Sequence, residues 1–160
     1  MVVVIEVLIV ALLFTLGVKS FAKDPIRTIY NYPLKIQERV KSLEQYKDRI
    51  PENKTKIATK LGFCIGVVLL ISLIFKYINH YETFMQGFLW SYLMWTIVNW
   101  YDALILDCIW FCHDKRWVIE GTEDMVDEYH NYMFHIKGSL IGQLIGLAVC
   151  LLIGLVVAII

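Results

Sequence analysis

The sequence predicts an all-α membrane protein with four transmembrane helices and two amphipathic cytoplasmic helices. The chain of 160 residues is 58% hydrophobic with a mean hydropathy of +0.59, which is too apolar for an ordinary soluble domain of this size. Four apolar stretches are close to, or longer than, the roughly 20 residues that cross a bilayer. The 15 basic and 15 acidic residues cancel in number but lie in separate segments. We therefore expect one membrane domain over residues 1–160.

The predicted spans are, in chain order, residues 1–18, 61–78, 84–112 and 139–160. The first span has no basic leader before it and no small-residue cleavage site after it. We therefore expect a retained signal-anchor helix rather than a secretory signal. The third span is the most unusual, because its 29 residues include one asparagine and two aspartates.

The fourth span carries a small residue at every fourth position, which lets another helix backbone approach closely. The residues of this glycine ladder are Gly138, Gly142, Gly146, Cys150 and Gly154. Gly62 and Gly66 give the second span a shorter version. The ladder serves either packing within the chain or a homo-oligomer, and the sequence does not choose between them.

Charge fixes the predicted orientation. The loop of residues 19–60 holds 11 of the 15 lysines and arginines, whereas the link of residues 79–83 holds none. The positive-inside rule places the 19–60 loop in the cytoplasm, and the 113–137 loop with it, so that both termini lie outside the cell membrane. The four cysteines lie in or at the ends of apolar runs, where we interpret them as small core residues rather than a disulfide framework.

The first cytoplasmic loop is expected to contain an amphipathic helix over residues 33–51. Ile36, Val40, Leu43, Tyr46 and Ile50 recur at spacings of four, three, three and four, with basic residues around them. Such a basic helix can lie on anionic lipids of the inner leaflet. Alternatively, its apolar face packs against the second cytoplasmic loop.

In the second loop, Thr122 is a predicted helix cap followed by acidic residues. On a continuous helix through residue 135, a polar arc contains Asp124, Asp127, Glu128, Asn131 and His135. Asp124, Glu128 and His135 are weak candidates for a divalent metal site, because carboxylates and imidazole suit such ions. The favoured interpretation is a solvated acidic face that pairs with the first loop, which carries a net charge of +6 against −3 here. We predict no metal.

A polar seam is predicted along the third span. At about 100° per residue, almost all of its polar side chains fall within an arc of roughly 160°. Such one-sidedness suits a bundle interior or a water-filled cleft, because lipid cannot satisfy polar groups. The pocket candidates on or next to this seam are Asn99, Asp102, Asp107, His113, Arg116, Trp95 and Trp110.

Asp102 is the deepest carboxyl group of the seam, whereas Asp107 is expected at the membrane interface. An aspartate inside a span indicates a functional site by default. An interhelical hydrogen bond that fixes helix order is the structural alternative. Proton or ion conduction is a third interpretation, disfavoured because the only other acid in a span, Glu6, lies near the opposite surface.

Two resemblances accompany these patterns. The segments NWYDALILDCIWFCHDKRWVIEGTEDM and KDPIRTIYNYP resemble a loose group of uncharacterised small four-helix bacterial membrane proteins, which implies no activity. The segment EDMVDEYHNY is faintly similar to membrane methyltransferases, which place an acidic, aromatic segment after a span. The Arg-His-Pro element of those enzymes is absent, and only the sequence HDKR stands nearby. No chemistry is carried over.

The leading functional hypothesis is a polar pocket that opens to the cytoplasm and binds or modifies a lipid-like or small amphipathic ligand. The alternative is a non-enzymatic membrane scaffold or subunit, whose seam and glycine ladder serve assembly. The zero net charge argues against nucleic acid as a partner. The sequence assigns neither a reaction nor a cofactor.

Overall fold

The computed structural model describes residues 2–51 and 53–160, and the regular elements of these residues are helices, with no strand among them. Met1 of the first predicted span and Glu52 of the first loop lie outside the described residues. The helices are α1 (Val2–Phe21), α2 (Leu34–Ser42), α3 (Asn53–Tyr77), α4 (Phe84–Tyr101), α5 (Val126–Tyr129) and α6 (Tyr132–Ile159). A π-helical segment, Asp102–Phe111, continues α4 without a break.

The four long helices form a bundle in which α6 is central. Helix α6 packs along α4 and against α3, while α1 contacts α4. The bundle core contains the buried side chains of Val68, Phe75, Met94, Val149, Ile153 and Val157. Burying these side chains removes apolar area from the surface, which stabilises the bundle by about 25 cal/mol per Å² in water.

The helical class predicted from sequence is confirmed, and two helical stretches among the described residues are long and apolar enough to cross a membrane. These stretches are Val3–Phe21 and Val126–Ile159, and Leu61–Tyr77 is a shorter apolar helix. Helix α4 begins at a capping box. The Thr83 hydroxyl accepts a hydrogen bond from the Gln86 backbone amide, and the Gln86 side-chain oxygen accepts one from the Thr83 backbone amide. This cap defines where the apolar run of α4 starts.

The two polar loops fold together into a compact unit, which we call the cap (residues 22–50 and 112–131). Its core joins Ile26, Ile29, Tyr32, Ile36, Val40 and Tyr46 of the first loop to Trp117, Ile119 and Tyr129 of the second. Hydrogen bonds reinforce the junction, because the Tyr32 hydroxyl donates to the Trp117 carbonyl at 3.0 Å and the Tyr46 hydroxyl to that of Glu120 at 3.3 Å. Burial, and then Tyr129, raise the pKa of Tyr32 well above its usual value.

The amphipathic helix of the first loop is shorter than predicted. Helix α2 ends at Ser42 because Leu43 is extended, and a short 3-10 turn follows at Glu44–Tyr46. Ile36 and Val40 are fully buried in the cap core. The apolar face of α2 therefore packs against the second loop, which is the second of the two arrangements considered from the sequence.

The prediction of one continuous helix from Thr122 to His135 is wrong. Thr122 is buried, with its hydroxyl donating to the Ile119 carbonyl at 2.6 Å, and it does not cap a helix. Helix α5 spans four residues, and α6 starts after Asn131, whose side-chain oxygen accepts from the Phe134 amide at 3.1 Å. Asn131 is thus the N-cap residue of α6, and the two-loop unit that we call the cap ends there.

Candidate functional site

The polar seam of α4 is occupied by side chains of α6. The Asn99 amide donates to the Ser139 hydroxyl at 2.7 Å, to the Ser139 carbonyl at 3.1 Å and to the Gln143 side chain at 3.1 Å. The Gln143 amide in turn donates to the Thr96 hydroxyl at 2.7 Å. These contacts satisfy polar groups that lipid could not, so this part of the seam joins two helices.

The glycine ladder of α6 faces the same seam. The Trp95 indole donates to the Gly142 carbonyl at 3.2 Å and lies directly over Gly146, where an added methyl group would overlap the ring. Gly154 lies against the backbone of Phe84. Gly142, Gly146 and Gly154 therefore pack within the chain, whereas nothing lies within 4 Å of a methyl group added at Gly138. Likewise, nothing lies within 4 Å of a methyl group added at Gly62 or Gly66, so the short ladder of α3 is open.

The π segment changes which residues share a face. On an α-helix, Asp102 and Asp107 are about 140° apart, at 100° per residue. In the π segment the amide of residue i+5 bonds to the carbonyl of residue i, as Cys112 does to Asp107. Residues five apart then lie about one turn apart, which places Asp102 and Asp107 on the same face of the segment.

Asp107 is held by His135, the first buried polar side chain of α6. The Nδ1 atom of His135 lies 3.1 Å from the Asp107 carboxylate, and the histidine side chain is 4% exposed. Its other ring nitrogen, Nε2, is buried without a hydrogen-bond partner. The rings of Phe111 and Phe134 lie against the imidazole, with centroids 5.1 and 5.3 Å away.

A cleft of about 520 Å³ lies where the π segment meets the cap. Phe111, Cys112, Val118 and Val126 supply its apolar lining, and His113, Lys115 and His130 are among its polar residues. The His113 and His130 rings are 4.9 Å apart, and the Nε2 atom of His113 is 3.0 Å from the Tyr132 hydroxyl. Asn99, Asp102 and Asp107 do not line this cleft.

Two acidic residues of the cleft are already satisfied. Asp114 accepts from the Arg116 guanidinium at 2.8 Å and from the Trp110 indole at 2.7 Å, and it also caps the next turn. The hydrogen bond from Arg116 holds the pKa of Asp114 well below its usual range. The Glu123 carboxylate accepts from the Gly121 amide at 2.9 Å. Both carboxylates therefore turn towards donors of the cap itself.

The weak metal candidates have separate partners. Asp124 pairs with Arg39 at 3.2 Å, Glu128 pairs with Lys35, and His135 pairs with Asp107. Among the residues that the structure describes, no group of three or more His, Cys, Asp or Glu side chains is arranged to hold a metal ion. The first two pairs match the acidic face that was expected to pair with the basic first loop. The hydrogen bond to Glu128 raises the pKa of Lys35.

The structure thus divides the seven pocket candidates into three groups. Asn99 and Trp95 join α4 to α6, Asp102, Asp107 and Trp110 lie on the π segment, and His113 and Arg116 belong to the cap. The sequence did not single out His130, and it did not indicate that His135 pairs with Asp107. Both residues were assigned to one continuous helix, which does not form. Asn131, the N-cap residue of α6, was the signal of the break.

Comparison with protein-family models, curated proteins and solved structures found no match. The resemblance to small bacterial membrane proteins therefore remains a prediction from the sequence.

Proposed function

We propose that the chain is a multi-pass protein of the cell membrane with four spans. In this orientation the cap faces the cytoplasm and both termini lie outside. The excess of basic residues in the 19–60 loop supports it. So do the exposed apolar side chains on the outer faces of the bundle, among them Leu8, Phe63, Leu70 and Leu144, each more than half exposed. In water such surfaces are unfavourable, whereas lipid covers them at no cost.

Contacts along α1 support its retention as a span. The Thr15 hydroxyl lies 2.9 Å from the Tyr101 hydroxyl at the end of α4. Near the other end, the Glu6 carboxylate accepts from the Asn79 amide at 3.1 Å. Glu6 and Thr15 thus have partners in the bundle, which a cleaved signal peptide would leave unpaired.

Within this membrane protein, the cleft between cap and bundle binds an amphipathic anion, such as a lipid with a phosphate headgroup. The observation that carries this proposal is the asymmetry of charge partners in the cleft. Asp114 and Glu123 are bonded to donors of the cap, whereas Lys115, His113 and His130 have no acidic partner among the described residues. Lys115, His113 and His130 therefore lack an anionic partner, which a bound anion would supply.

The shape of the cleft suits a ligand with two ends. Its volume of about 520 Å³ lies within the usual range of small-molecule sites. The apolar side chains of Phe111 and Val118 would contact an acyl chain, while Lys115 and the imidazoles would hold the headgroup. Its place at the inner end of the π segment corresponds to the depth of lipid headgroups in the proposed orientation.

The test is binding of water-soluble dioctanoyl phosphatidic acid to the protein in phosphatidylcholine nanodiscs, measured by calorimetry. We expect saturable binding, and a loss of about tenfold or more in affinity for Lys115→Gln and His130→Gln, as a charge-assisted hydrogen bond would give. Lys23→Gln removes an exposed lysine that does not line the cleft, and should leave the affinity unchanged. Equal binding of dioctanoyl phosphatidylcholine, or no binding, contradicts the proposal.

A non-enzymatic scaffold is the second candidate function. The network of Asn99, Ser139, Gln143 and Thr96 favours it, because the deep part of the seam is filled by protein side chains. If the cleft binds neither phosphatidic acid nor inorganic phosphate, this role accounts for the polar seam without a ligand.

A further inference from the structure

Three titratable side chains lie near one another at the end of the bundle that adjoins the cap. The π segment brings Asp102 next to Asp107, and α6 brings His135 to Asp107 from the other side. Neither carboxylate pairs with a lysine or arginine among the described residues. Among the salt bridges of the described residues, His135 is the one group able to carry a positive charge that contacts either carboxylate.

The other titratable groups nearby cannot balance two negative charges. Cys108 of the π segment and Cys112, which follows it, interact with Asp107, and a thiol is neutral or negative. Tyr32 and Tyr129 of the cap contact Phe111, but their hydroxyl groups are bonded to Trp117 and Ile119. With Asp102 and Asp107 both ionised, even a protonated His135 leaves one uncompensated negative charge.

Such a charge is costly inside a bundle, because the low dielectric strengthens repulsion and removes hydration. Two neighbouring carboxyl groups avoid this cost by sharing one proton. His135 belongs to the same site, because its Nδ1 atom lies 3.1 Å from the Asp107 carboxylate. The two neighbouring carboxylates therefore carry an unbalanced charge that one hydrogen ion relieves.

We propose that Asp102, Asp107 and His135 form a proton-binding site at the inner end of the bundle, in which one proton is shared between the two carboxyl groups and His135 fixes Asp107. In the proposed orientation the site takes its proton from the cytoplasmic side and returns it there, so that an O–H bond forms and breaks and no bond between heavy atoms changes. It is separate from the cleft, and it does not depend on the binding of an anion.

Infrared spectroscopy of the protein in nanodiscs tests the site, because a protonated carboxyl group has a carbonyl band that ionised carboxylates lack. We expect the wild-type protein at pH 7 to show this band, with the intensity of about one protonated carboxyl group per chain, and to lose it reversibly as the pH is raised. Asp102→Asn should abolish the band at pH 7, because the pair of carboxyl groups that shares the proton no longer exists.

A second variant has the opposite expected effect. His135→Phe fits between two phenylalanine rings but removes the partner of the Asp107 anion, so the band should persist to higher pH than in the wild-type protein. Asp127→Asn is the control, because Asp127 is exposed in the cap and should leave the spectrum unchanged. Absence of the band from the wild-type protein at pH 7, or a band that Asp102→Asn leaves intact, overturns the proposal.

Discussion

Asn99 illustrates how one amide side chain joins two helices in an apolar environment. Its three hydrogen bonds reach the backbone and hydroxyl of Ser139 and the side chain of Gln143. The sequence indicated that Asn99 faces a partner, because its neighbours at helical spacing are polar. It could not indicate which partner, because the partner lies 40 residues away on a helix whose rotation is set by packing.

We predict that Asn99→Ala destabilises the bundle by about 1–2 kcal/mol, since it leaves the Ser139 and Gln143 groups without their donor. The measurement is the free energy of unfolding in mixed detergent micelles. Gln45→Ala, an exposed amide of the cap, is the control and should change the free energy by less than about 0.5 kcal/mol. If the two variants are equally stable, the amide network does not hold α4 to α6.

Helix positions were predicted well where apolar runs are long, and poorly where local backbone chemistry intervenes. The third span was expected as one α-helix, and a π segment replaces its second half. That change moved Asp107 beside Asp102, so the candidate site could not be assembled by counting 100° per residue. The acidic arc predicted for residues 124–135 does not form, because Asn131 starts a new helix and the residues before and after it do not share one helical face.

The glycine ladder gives a prediction at the scale of a helix pair. Gly146→Ala should destabilise the protein by about 1–3 kcal/mol, because the added methyl group overlaps the Trp95 indole and forces α4 and α6 apart. Gly66→Ala makes the same chemical change on the open face of α3 and should be neutral or slightly stabilising. Thermal unfolding in detergent compares the two. Equal loss of stability would mean that the ladder of α6 has no special role.

Helix α2 offers a test of the cap. Ile36 is fully buried whereas its neighbour Lys35 is exposed and pairs with Glu128. Ile36→Ala should therefore cost about 2–5 kcal/mol, the usual range for buried isoleucine, and Lys35→Ala less than about 1 kcal/mol. Hydrogen exchange of the cap amides reports the difference. A helix that lay on the membrane surface would give comparable effects for both, and none on the exchange of residues 115–129.

For the whole molecule, the proposed orientation predicts which side of the membrane each loop faces. Single cysteines replace Asp48 in the cap and Glu82 in the link between α3 and α4, both exposed, in a background without the four native cysteines. An impermeant maleimide added to intact cells should label position 82 and not position 48, and permeabilised cells should show both. The reverse pattern would invert the topology, and labelling of both in intact cells would exclude it.

The hydrogen bond between Tyr32 and Trp117 joins residues that are 85 positions apart, and this separation sets the order of events during synthesis. At about 5–20 residues per second, the ribosome needs on the order of 4–17 s to make the second half of the cap after the first. During that time Ile29 and Ile36 lack the part of the cap core that the second loop supplies. In the proposed orientation, a nascent chain that stalls between α3 and α4 therefore presents an apolar, basic segment to the cytoplasm, where a chaperone or the membrane surface would have to shield it.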